Sequence, residues 1–132
     1  MKNISRLLGL AVGLGMLFAG MTTEAADKKK AKQLRHFVCF KYKAEALKEQ
    51  IAEVEKAFAA LEKKITEIKA FEKGTNNSPE GLNKGFKHCY LITFGSEKDR
   101  DAYLVHPAHK EFVKVVGPVV EDVFVVDYWA PK

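Results

Sequence analysis

The segment Asp101-Ala-Tyr-Leu-Val-His-Pro-Ala-His109 brings a phenol and two imidazoles together over a short span. Pro107 has a fixed φ and no N–H, which suits the first position of a helix. His109 then stands in the first helical turn, where the positive end of the helix dipole disfavours an added proton. An imidazole biased in that way is the neutral form, able to accept a proton. Tyr103 offers a phenol that can hydrogen-bond a developing enolate. Tyr103 and His109 are therefore the candidate catalytic residues. The structural alternative has Tyr103 packed on the helix start and His109 bonded to a backbone carbonyl.

Other chemistries have weaker support. His106 and His109 are three residues apart, and His36 and His88 sit at strand starts that could lie side by side, which raises the question of a metal. No carboxylate falls at an obvious further ligand spacing, so no metal site is assigned. No cofactor is assigned either. His36 and His88 are read instead as residues bridging the sheet to the helix cap. Cys39 and Cys89 both fall inside expected strands and lack Cys-x-x-Cys spacing. They are either two small core residues or, in an exported protein, a disulfide.

Four strands and three helical stretches must position these groups. Arg35–Tyr42 is aromatic and β-branched and reads as the first strand. Leu47, Ile51, Val54, Phe58, Leu61 and Ile65 recur at helical spacing, one apolar stripe on a long helix. Thr66–Thr75 is expected to be the second strand and His88–Phe94 the third, joined by a turn-rich loop. Ser96 caps a short helix, Pro107–Val116 forms the next, and Val123–Trp129 is the last strand. The order is β-α-β-β-α-β, an α+β ferredoxin-like unit.

Alternation along the strands places His36, Val38 and Phe40, then His88, Tyr90, Ile92 and Phe94, then Val123, Val125 and Asp127 on one sheet face. Phe37, Cys39, Cys89, Leu91, Phe124, Val126 and Tyr128 occupy the other. A sheet covered by helices on one side needs only one apolar face. A second apolar face calls for a second sheet, and hence a homodimer.

The first 25 residues read as a signal peptide: Lys2 and Arg6, an uncharged apolar run over Leu7–Gly20, then small residues flanking Glu24. The run is short for a membrane span, so no stable span is expected after cleavage. Removing this leader deletes two positive charges and one negative, taking the net charge from +5 to +4. Residues 26–34 form a basic flexible tail, and 35–131 form one domain. Export to the periplasm or the medium is expected. The chain lacks basic–aromatic interleaving on one face, so nucleic acid is not an expected partner.

With the strands placed, the chain resembles the stress-responsive dimeric α/β-barrel (Dabb) family from about Arg35 to Pro131. The resemblance is carried by His36 and its strand ending in Lys41, by Gly85-Phe-Lys-His88, and by Thr93-Phe-Gly-Ser96. Tyr103, His106-Pro-Ala-His109 and the closing Asp127-Tyr-Trp129 complete it. It implies a ferredoxin-like protomer paired sheet to sheet as a dimeric α/β barrel. Most members have no assigned activity. One plant member is a polyketide cyclase that closes a ring by aldol condensation without cofactor, using a tyrosine and a histidine that correspond to Tyr103 and His109. Its pocket wall corresponds to His36, Val38, Phe40, Val54, Phe58, Tyr90, Ile92, Phe112, Val123 and Val125, and His88 is grouped with them. Val54, Tyr90 and Val120 depart from that lining, so substrate shape does not transfer.

The expected function is binding of a small hydrophobic carbonyl or phenolic compound in an apolar pocket. Two alternatives stand beside it: a cofactor-free cyclase or monooxygenase using His109 as base, and a non-catalytic stress or stability oligomer.

Overall fold

The computed structural model describes residues 32–131, so the leader and all but the end of the basic tail lie outside the described residues. The chain runs β1 (Lys32–Tyr42), α1 (Lys48–Lys64), β2 (Ala70–Thr75), β3 (His88–Phe94), α2 (Glu97–Val105), α3 (Pro107–Val116) and β4 (Val120–Pro131). All neighbouring strands are antiparallel, in the sheet order β2-β3-β1-β4. This is the expected ferredoxin-like α+β topology, with α2 and α3 sharing the second crossover. Among the described residues no helix is long and apolar enough to cross a membrane.

Both strands of the β1–β4 pair run longer than the sequence pattern indicates. β1 begins at Lys32, inside the segment read as tail, because Lys32, Gln33 and Leu34 pair with Pro131, Ala130 and Trp129. Leu34 is buried there. The second strand begins at Ala70 rather than Thr66. Leaving α1, the chain turns so that Ile68 N–H donates to the Ile65 carbonyl at 3.2 Å. Both isoleucines are buried, and strand pairing starts only at Ala70 opposite Thr93.

The α1 stripe packs as its spacing demands: Val54, Phe58 and Leu61 are buried against the sheet. Leu47 is the exception. It is the N-cap residue, exposed, and its backbone N–H donates to Gln50 Oε1 at 2.8 Å. Phe58 holds the centre of the core, its ring 4.4 Å from Phe112 of α3 and 5.7 Å from Phe40 of β1. The stack ties both helices to the sheet, and burial of aromatic rings of this size contributes strongly to the core.

The helix-free face of the sheet is not covered. Phe124, Val126 and Tyr128 of β4 are each more than 40 % exposed (47 %, 41 % and 47 %). Phe37, Cys89 and Leu91 are half-buried beside them. A contiguous apolar sheet face of this kind marks an interaction surface.

Candidate functional site

The connection from α2 to α3 builds the site. Ser96 caps α2 by accepting from Asp99 N–H at 3.1 Å. α2 delivers Tyr103 into the core, where it is 1 % exposed. The chain breaks at His106, Pro107 starts α3, and His106 Nδ1 accepts from Ala108 N–H at 3.0 Å. His106 is thus the N-cap of α3, which accounts for one of the two histidines of the motif without a ligand. His109 follows in the first turn, and its ring lies 4.4 Å from that of Tyr103.

These two rings open onto a cavity of about 520 Å³ between β1, β4 and the helices. Its wall is mainly apolar: Val38, Phe40, Phe58, Phe112, Val123 and Val125 join His36, Tyr103 and His109, as the strand and helix faces anticipate. Val54, His88, Tyr90 and Ile92 do not reach it. Val54 and Ile92 are fully buried in the core, because α1 and β3 press together there. Tyr90 faces a separate depression with Glu55 and Lys73. His88 is at the far end of the sheet, its Nδ1 3.2 Å from Glu55 Oε1. His36 and His88 are not side by side, since His36 pairs with Ile92 and His88 with Phe40. Among the described residues no cluster of three histidine, cysteine or acidic side chains could hold a metal.

Three charged residues of the wall were not among the expected site residues: Arg100, Asp101 and Asp127. His36 Nδ1 donates to Asp127 Oδ1 at 2.6 Å, and Arg100 Nη1 donates to Asp127 Oδ2 at 2.8 Å. Arg100 also holds Asp101 Oδ1 through Nε and Nη2, at 3.0 and 2.9 Å. A signal was available: Asp127 is the one charged residue among Val123, Val125 and Asp127 on the inward side of β4. The strand register then sets it opposite His36. For Arg100 the sequence holds no comparable signal, because its partner is on another element.

The electrostatics follow from this packing. Burial alone pushes the Tyr103 hydroxyl well above the ordinary phenol range, so it remains a donor. Burial also lowers His109 from its ordinary 6.5, the Leu104 backbone opposes it, and His36 and His106 lower it further. His109 is therefore biased to the neutral ring, as the sequence suggests, but desolvation is the leading cause. Asp127 is raised by burial, yet the hydrogen bonds from Arg100 and His36 outweigh this and leave it below 3.8. The cavity thus presents a neutral imidazole and a protonated phenol side by side, with an ionised carboxylate fixing a second imidazole. His36 lies edge-on to Tyr103 at 5.7 Å, so the phenol sits between the two histidines.

Residues 34–130 match the family described as the Stress responsive A/B Barrel Domain. The chain is similar to the stress-response A/B barrel domain-containing protein HS1 of Arabidopsis thaliana, 34 % identical over 95 residues, covering 72 % of this chain and 87 % of that protein. It is similar to olivetolic acid cyclase of Cannabis sativa, 27 % identical over 99 residues, covering 75 % and 98 %. Among solved structures it resembles the hydroxynitrile lyase of Passiflora edulis, with a TM-score of 0.72 and 29 % identity over 77 % of this chain and 96 % of that one. Other structures of this fold are described as dimeric ferredoxin-like proteins.

Proposed function

The chain belongs to the stress responsive A/B barrel domain family, and from that premise we propose that it is a homodimer binding a small hydrophobic carbonyl or phenolic compound in the helix-side cavity. The observation that carries this is the open cavity of about 520 Å³ with His109 and Tyr103 in its wall. Pockets of this size and apolar lining, with a few convergent polar groups, are ligand sites. A protein serving only as a stable oligomer would fill such a space with side chains. The uncovered face of Phe124, Val126 and Tyr128 supports the homodimer, as does the description of structural neighbours as dimers. The leader-like start supports action outside the cytoplasm.

The second reading is cofactor-free proton chemistry on the bound carbonyl. His109 takes a proton alpha to the carbonyl, and Tyr103 donates to the enolate oxygen as charge develops there. Asp127, held by Arg100, fixes the tautomer of His36 by accepting from Nδ1, and so positions that ring against Tyr103. The relatives include a protein named as a cyclase and a structure named as a lyase, which supports chemistry at this cavity in the family.

The test is His109→Ala, with dimerisation checked by sedimentation. Weakened binding of 4-hydroxybenzaldehyde, used as an aromatic carbonyl probe, with the dimer intact assigns His109 to the site. A variant that changes only thermal stability leaves His109 structural.

A further inference from the structure

A line of alternating charge runs from the mouth of the cavity into its wall. Asp101 stands at the mouth with its side chain 65 % exposed, whereas the side chains of Arg100, Asp127 and His36 retain 21 %, 24 % and 7 %. Arg100 Nε and Nη2 donate to Asp101 Oδ1 at 3.0 and 2.9 Å, and Nη1 donates to Asp127 Oδ2 at 2.8 Å. The guanidinium is thus held between two carboxylates.

We propose that this arrangement makes the cavity select neutral carbonyl compounds over carboxylates, and that Asp101 sets the preference by occupying and neutralising Arg100. The proposal rests on the reading of the cavity as a ligand site, and it narrows the class of ligand.

The balance of charge carries the argument. Among the described residues of the wall, Arg100 is the one lysine or arginine, and it faces the carboxylates of Asp101 and Asp127. With both imidazoles neutral, one positive and two negative groups leave the wall with one net negative charge. A carboxylate entering this space loses its hydration, meets mainly apolar side chains and finds the guanidinium already paired. A ketone or aldehyde brings no charge to desolvate, and the Tyr103 hydroxyl can donate to its oxygen. The whole chain carries +5 and so draws anions toward its surface. Discrimination against them must therefore come from the local wall.

Asp101 acts through Arg100, and its exposure lets it be changed without opening the core. Asp127 is less suitable, because it also holds His36.

The test compares 4-methoxyacetophenone with its carboxylate isostere, 4-methoxybenzoate, in backbone-amide NMR titrations of the full chain. They are run at about pH 8.5, above the ordinary range of histidine. The readout is the ratio of the two affinities, which a merely structural role of Asp101 would not move. The natural chain should bind the ketone at least about tenfold more tightly, a low value for one uncompensated charge near the site. Asp101→Asn should narrow this ratio by about three- to tenfold, and Asp101→Ala, which also frees Nε and Nη2 for the ligand, should narrow it further. Asp101→Glu keeps the charge and should keep the preference. The difference between the natural chain and Asp101→Asn should shrink in about 0.5 M sodium chloride.

The same ratio in the natural chain, Asp101→Asn and Asp101→Ala would overturn the role of Asp101. Binding of the carboxylate as tightly as the ketone by the natural chain would overturn the selectivity. A ketone that leaves the Tyr103 and His109 amides unshifted in the natural chain would overturn the ligand-site reading itself, and this inference with it.

Discussion

Asp127 and His36 face each other across the β1–β4 register, with Asp127 Oδ1 2.6 Å from His36 Nδ1. Arg100 reaches the other carboxylate oxygen from α2 at 2.8 Å. The carboxylate is thus shared between a strand histidine and a helix arginine, and it ties α2 to the sheet at the edge of the cavity. Asp127→Asn keeps an acceptor for one partner and removes the charge for both. We expect a loss of about 1.5–3 kcal/mol in urea unfolding, the scale of hydrogen bonds to charged groups.

The same pair sets an acid limit. The folded-state pKa of Asp127 lies below 3.8, so the unfolded chain takes up this proton first as pH falls. Its contribution is therefore present above 3.8 and lost as pH drops through the lower folded value. Unfolding curves from pH 5 to pH 2 should show this slope in the natural chain and a shallower one in Asp127→Asn.

His109 sets a second, opposite-type group in the same direction. Its folded pKa is lowered below 6.5, so between the two values the unfolded chain binds the extra proton. Stability from this group is present above 6.5 and falls as pH drops toward the folded value. Carbon-detected NMR of the imidazole should give a midpoint below 6.5 for His109. A midpoint above that would remove its assignment as a base at neutral pH.

His106 and His109 are separable. His106 Nδ1 caps α3 through Ala108 N–H, so His106→Ala should cost about 0.5–2 kcal/mol, and His106→Asn should recover most of it. Neither variant should alter probe affinity, in contrast to His109→Ala. The comparison needs only thermal melts and one titration.

Phe58 links core and cavity. Its ring is 1 % exposed and stacks 4.4 Å from Phe112, both lining the pocket. Phe58→Ala should destabilise by about 3–5 kcal/mol, as expected for removing a buried aromatic ring. Chemical denaturation measures it.

The fold was legible where period and capping coincide. The α1 stripe, Pro107 as helix start and the alternation of β1 and β3 each fix an element from a few residues, and the order of elements gives the topology. Errors fell where tertiary pairing overrides local pattern: Lys32–Leu34 are strand because β4 extends to meet them, and Ile68 turns because the core takes it. In the site, residues projecting from β1, α2 and α3 could be placed by periodicity. Tyr90 and Ile92 share the inward face of β3 but lie in the core beneath α1, and Val54 of α1 is buried in the same cluster, which a face assignment cannot show. Arg100 was invisible because its role is created by Asp127, nearly thirty residues later in sequence and across the fold.

The most direct test of the ligand site is a backbone-amide NMR titration of the full chain with 4-hydroxybenzaldehyde, repeated on Val113→Trp. Val113 lines the cavity yet is 47 % exposed, so a larger side chain there obstructs the pocket without entering the core. The account predicts saturable shifts centred on Tyr103, His109, Phe112 and Val125 that weaken at least tenfold in the variant. Shifts confined to other surfaces, or equal in both proteins, would contradict it.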